Sequence, residues 1–233
     1  MKLNKLTLII ALLLAFTSSL VASNYDAIEK HKKSISSKFN FNPNRDLDLS
    51  EYTGWKIEDY HIWNDSPNPK GILVLSKSGK DKCHACGAKM SVVSFEYNKS
   101  KWNIVNSTKD MGDYGEWGEF DYDIVFERIS DKSYGFYLIS SSLHGGYSEG
   151  RIHLIGLRSS KFQYLGWIDN MFFNGNDEKD SSNYDSTIHI KKSNREFYDV
   201  EVNKKFINGK QIKSIFHFKN GKYRLVKNIK QGH

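Results

Sequence analysis

The chain lacks the common signatures of a catalyst. It has no Gly-x-Ser-x-Gly elbow, no Walker-type phosphate loop and no zincin helix, which excludes the enzymes built on those motifs. Cysteine is scarce, with Cys83 and Cys86 the only two. A zinc finger would need a second pair at finger spacing. Haem attachment would need a His directly after the second cysteine, and Gly87 stands there. After the first 23 residues no apolar run is long enough to cross a bilayer. Acids are missing from Val202 to His233, although that stretch holds nine Lys or Arg residues. Proline is rare at three, whereas 14 Phe, 13 Tyr and 5 Trp supply ample material for a core.

The N-terminus reads as an export signal over residues 1–23. Lys2 and Lys5 precede an apolar run from Leu6 to Phe16 that is too short to span a membrane. Val21-Ala22-Ser23 offers a cleavage site, and no cysteine lies there to receive a lipid. The expected location is periplasmic or secreted, with no membrane span after cleavage. Removing Lys2 and Lys5 lowers the net charge from +7 to +5. The remaining charge is uneven, because Thr108 to Glu127 carries seven acids against one Lys. For an exported chain, nucleic acid is a poor partner. An acidic protein or an anionic envelope polymer suits the basic C-terminal block better.

One signature recurs. Tyr97-Asn98-Lys99-Ser100-Lys101-Trp102-Asn103-Ile104, Leu157-Arg158-Ser159-Ser160-Lys161-Phe162-Gln163-Tyr164 and Phe218-Lys219-Asn220-Gly221-Lys222-Tyr223-Arg224-Leu225 share it. Each has an apolar residue, a polar turn, a Lys and an aromatic. Tyr97 and Leu157 are 60 positions apart, and Leu157 and Phe218 are 61 apart. A fixed period of that length predicts repeated units. Short segments rich in Val, Ile, Phe and Tyr, set between Asn, Asp, Ser and Gly, predict four strands per unit. The expected fold is all-β: three four-stranded antiparallel repeats over about 54–107, 120–169 and 185–231. The arrangement would be propeller-like, with a β-sandwich or barrel as the alternative. Residues 24–50 are expected as a short amphipathic helix followed by a linker, and 51–233 as one all-β repeat domain.

Equivalent units would place the loops Lys77–Lys89, Ser141–Gly150 and Asn203–Gln211 on one rim. Loops held by a rigid scaffold are where binding residues concentrate. His84, His144 and Tyr147 on these loops are candidate partner-binding residues. Tyr114 and Trp117, within the acidic stretch, are two more. Cys83 and Cys86 in an exported chain are expected to form a disulfide. A redox site activated by Lys80, Lys82 and His84 is an alternative. So is a metal held by Cys83, Cys86, His84 and His144. Glu116 and Glu119 could serve as a carboxylate pair. Asn174 to Asp180 has oxygens suited to weak calcium binding, without EF-hand spacing.

Cys83-His84-Ala85-Cys86-Gly87, the strand ending at Phe95-Glu96, Trp102 and Gly115-Glu116-Trp117-Gly118-Glu119 resemble a group of exported bacterial proteins. The resemblance covers about residues 83–140 and implies an envelope location and no activity. Taken together, the residues favour a binding protein without catalysis or cofactor. An inhibitor or immunity-type protein that blocks a toxin or cell-wall hydrolase is the most concrete form. A thiol or metal protein built on Cys83 and Cys86 and a carbohydrate or envelope-polymer binder are the alternatives.

Overall fold

The computed structural model describes residues 40–79, 83, 86–177 and 179–231. The expected signal over 1–23, the helix over 24–39 and the residues Lys80, Lys82 and His84 lie outside this set. The described chain is all-β apart from the short helix α1 (Pro43–Asp46) and a 3-10 turn at Ser50–Tyr52. Asn42 caps α1 by accepting the Asn44 N–H at 3.0 Å, and Pro43 supplies a preset first helical position.

The first meander is β1 (Lys56–Trp63), β2 (Lys70–Lys77), β3 (Ala88–Asn98) and β4 (Lys101–Thr108), with β5 (Asp113–Tyr114) pairing beside β3. The second is β6 (Asp123–Arg128), β7 (Tyr134–His144), β8 (Tyr147–Arg158) and β9 (Lys161–Asn174). The third is β10 (Tyr184–Lys191), β11 (Asp199–Phe206), β12 (Gln211–Lys219) and β13 (Lys222–Gln231).

The three signature hairpins fold alike. Each joins the third and fourth strands of its meander through two residues in the left-handed region: Lys99 and Ser100 (φ 51 and 63), Ser159 and Ser160 (50 and 63), Asn220 and Gly221 (53 and 82). Two such residues match the twist of the flanking strands. The pairs Tyr97↔Trp102, Leu157↔Phe162 and Phe218↔Tyr223 occupy the same register. In each hairpin an extra residue, Val105, Leu165 or Val226, then bulges three positions after the aromatic. Phe162 and Tyr223 are buried, whereas Trp102 is half-buried.

The meanders do not stand as three separate blades. The strand order gives one sheet from the first meander and one continuous eight-stranded sheet from the other two, neither closed into a barrel. The cause is β9, which runs past the expected unit end at residue 169. Its extension pairs Phe172 with Tyr184 and Met171 with Asp185, and so joins β10.

Layers stack through alternate faces. Ile72, Val74, Met90 and Val92 pack on Phe136, Leu138, Ile155 and Phe162 of the second meander. The intervening Leu73, Leu75, Val93 and Phe95 face the other way, onto Phe41, Leu47 and Tyr52. With both faces covered, β2 and β3 read as near-continuous apolar runs rather than alternating ones. Residues 40–52 thus form a cover over the first sheet, where a linker was expected. Ile152, Leu154, Leu165 and Ile168 turn from the second meander to Val200, Val202, Phe218 and Tyr223 of the third.

Candidate functional site

Two regions gather the residues singled out by the sequence. The first is a corner on the first sheet. Cys83 and Cys86 form a disulfide with Cα atoms 5.0 Å apart. Oxidised sulfurs offer no thiolate to a metal. Among the described residues no three His, Cys, Asp or Glu side chains gather to hold one. The Cys86 and Trp117 N–H groups both donate to the Cys83 carbonyl, at 2.9 and 3.1 Å, and Gly118 N–H donates to that of Cys86. The disulfide turn and residues 115–119 therefore lock together through backbone. Gly115 is required there: its φ is 87, and a Cβ would lie 2.0 Å from the Glu119 carbonyl oxygen.

Tyr114 and Trp117 diverge from this corner. Trp117 is 53% exposed. Tyr114 turns inward against the apolar layer between the sheets, and burial pushes its phenol up to about 12. Its ring lies 6.0 Å from Tyr122, whose ring stands 5.7 Å from His153. His153 contacts the Ser140 hydroxyl at 3.4 Å and the Tyr164 hydroxyl at 3.3 Å. Burial, then the nearby Arg151, lowers the His153 pKa. Tyr114 is thus half-buried against the layer between the sheets, whereas Trp117 is exposed. Glu116 and Glu119 face each other across an isolated bridge.

The second region is the end of the eight-stranded sheet around Tyr147. Residues 141–150, expected as a loop, are mostly strand. Only Gly145 and Gly146 turn, at φ 56 and 88, and His144 pairs with Tyr147 directly. The connection after β9 clamps this turn. Gly175 N–H donates to the Gly146 carbonyl at 2.8 Å, and Asn176 Nδ2 donates to that of Gly145 at 3.2 Å. In the same connection Asp180 accepts from Asn174 and Ser182, which holds its carboxyl low and satisfies its oxygens locally.

Beside the turn, Glu149, Phe172, Tyr184 and Phe206 are register partners in one row across β8, β9, β10 and β11. Tyr147 reaches this row, with its ring 6.1 Å from Phe172, and Tyr184 lies 5.2 Å from Phe206. Lys204 Nζ donates to the Tyr184 hydroxyl at 2.9 Å and sits 4.1 Å from the ring centre. Burial lowers the Lys204 pKa and pushes that of Tyr184 up to about 12. Several large apolar side chains near this row are exposed: Leu143 is 70% exposed, Ile207 56%, Tyr147 43% and Phe173 39%. Leu143 and Phe173 flank Ser148 in a second row, on the face opposite to Tyr147 and Phe172.

The chain matches no family model, no curated protein and no solved structure. Its chemistry must come from these residues alone. Tyr147, expected from the sequence, does stand at the surface. Leu143, Phe172, Phe173, Tyr184, Lys204 and Phe206 were not anticipated, because the boundaries drawn from the sequence stopped β7, β9 and β11 short and started β10 late. The one available signal was the apolar pair Phe172-Phe173 directly before Asn174-Gly175. The arrangement offers an ordered sheet end with exposed apolar side chains on both faces, and hydroxyls and a cation on the Tyr147 face.

Proposed function

We propose that this chain is an exported, non-catalytic binding protein of the periplasm or cell surface. Its most concrete role is that of an inhibitor or immunity-type protein that blocks a secreted toxin or cell-wall hydrolase. The observation that carries this reading is the exposure of Leu143 and Tyr147 at the tip of the β7–β8 hairpin, whose Gly145-Gly146 turn is clamped by hydrogen bonds from Gly175 and Asn176. Large exposed side chains on an ordered hairpin suit an interface, since large amphipathic anchors dominate interface energetics. Preorganisation by the clamp lowers the entropy lost on binding. The disulfide at Cys83 and Cys86 suits an oxidising compartment. The shared turns, registers and bulges of the three hairpins support descent from one repeated four-stranded unit.

The test uses immobilised purified protein and a Leu143→Ser/Tyr147→Ala variant, both challenged with envelope extract and secreted proteins from the source cell. A hydrolase or toxin should be held by the parent protein and inhibited by it in solution. The variant should bind it at least about 30-fold more weakly, the scale of a hot-spot anchor, with an unchanged melting temperature. Equal capture by both proteins would remove this rim as the site.

A further inference from the structure

The outward face of the third meander forms a second surface, of different chemistry. On β12 it presents Lys213, Ile215, His217 and Lys219. Their register partners on β13 are Ile229, Lys227, Arg224 and Lys222, in that order. On β11 the neighbours are Asp199, Glu201, Asn203 and Lys205. None of these side chains belongs to a core cluster, and Lys205, Lys219, Lys222, Arg224 and Lys227 are exposed.

The acids on this face are already engaged. Asp199 pairs with Arg195 at 3.0 Å and with His217 at 3.5 Å, and Glu201 pairs with Lys213 at 3.2 Å. Lys219, Lys222, Arg224 and Lys227 have no acid partner among the described residues, whereas Lys205 stands opposite Asp185. The pairing also sets like against like. Lys219 stands directly opposite Lys222. Like charges at opposed positions destabilise a sheet, so the fold gains nothing by holding them there.

We infer that the open face of β11–β13 binds a linear anionic polymer of the envelope, a phosphodiester chain on polyol or sugar, through Lys219, Lys222, Arg224 and Lys227. Adjacent strands space these cations at about 4.8 Å, and alternate residues on a strand at about 7 Å. That makes a ladder suited to a chain with charges several ångströms apart. Two other occupants fit less well. Strand-wise single-stranded nucleic acid binding draws on aromatic platforms for base stacking, and this face has no Phe, Tyr or Trp. A protein strand added to the open edge of β13 meets a lysine-rich edge, a device that discourages such pairing.

The experiment titrates the purified protein with poly(glycerol phosphate) and with oligo(dT) over a range of salt. One variant changes Lys219, Lys222, Arg224 and Lys227 to Glu. A second, of identical net charge, changes Lys99, Lys101, Lys132 and Lys161 to Glu. The parent protein should bind poly(glycerol phosphate) with a steep salt dependence. The first variant should lose about 100-fold or more in affinity, with the log–log salt slope reduced by about 3, as expected for four lost phosphate contacts. The second should keep binding within a few-fold. If the first variant does not melt cooperatively, the same four positions changed to Gln replace it. Equal losses in both variants would reduce the effect to net charge and overturn the site. Absence of binding by the parent protein would overturn it as well. Tighter binding of oligo(dT) than of poly(glycerol phosphate) would replace the assigned polymer with nucleic acid.

Discussion

Phe162 donates its backbone N–H to the Thr108 hydroxyl at 2.7 Å, across 54 positions of sequence. The bond ties the last strand of the first sheet to β9 of the second, where the Phe162 ring is buried between the two. Phe162→Ala should therefore cost about 3–5 kcal/mol through the cavity it leaves. Thr108→Val keeps the shape and removes the acceptor, so it should cost about 1 kcal/mol. Urea titrations of both variants check the order and the sizes.

The first and second hairpins place ordinary residues where the third has Asn220-Gly221. A left-handed conformation costs a residue with a Cβ about 1–2 kcal/mol. Replacing Lys99-Ser100 by Asn-Gly should thus stabilise the protein by about 1 kcal/mol, since Ser100 sits at φ 63. Gly221→Val, at φ 82, should do the opposite by a similar or larger amount. Thermal melts of the two variants should move in opposite directions from the parent.

The Cys83–Cys86 link spans three positions. So short a loop restricts the unfolded chain little, so removing both cysteines should cost no more than about 2 kcal/mol. An unreduced digest should yield the linked peptide, and the Cys83→Ser/Cys86→Ser variant should still melt cooperatively. Its local effect should be larger than its global one, because the backbone lock to Trp117 and Gly118 depends on the turn. Faster hydrogen exchange at those two amides is the expected readout.

Burial, and less strongly Arg151, hold His153 below its ordinary pKa of 6.5. The unfolded chain then takes up this proton more readily than the folded one. Stability is complete above the ordinary value and falls as the pH drops below it toward the folded pKa. His153→Gln, which retains a polar contact for Ser140 or Tyr164, should flatten the decline in melting temperature below about pH 6.5. An unaltered slope would mean that the ring charges freely in the fold.

Much of the local structure was legible in the residues. The twelve principal strands, the turns at Lys99-Ser100, Ser159-Ser160 and Asn220-Gly221 and the Cys83–Cys86 pairing follow from alternation, turn chemistry and cysteine count. These are short-range effects, decided within a few residues. The places where strands stop were less legible. Ser141 to His144 is mostly polar, and Asp169 to Asn174 mixes polar residues with Met171, Phe172 and Phe173 without alternation, yet both remain strand because each finds a hydrogen-bonding neighbour.

What the sequence determined by itself was an all-β chain with three like-turned hairpins and an uneven charge. Tertiary structure decided how the strands combine into sheets. The pairing of Phe172 with Tyr184 merges two meanders, and the packing of Phe41, Leu47 and Tyr52 makes a cover of residues that lack any strong pattern. It also sent Tyr114 inward and left Trp117 and Tyr147 outward, although all three stand in similar polar, glycine-containing stretches. The physical reason is common to these cases. Period and turn chemistry act over a few residues, whereas burial depends on which distant surface arrives to exclude water.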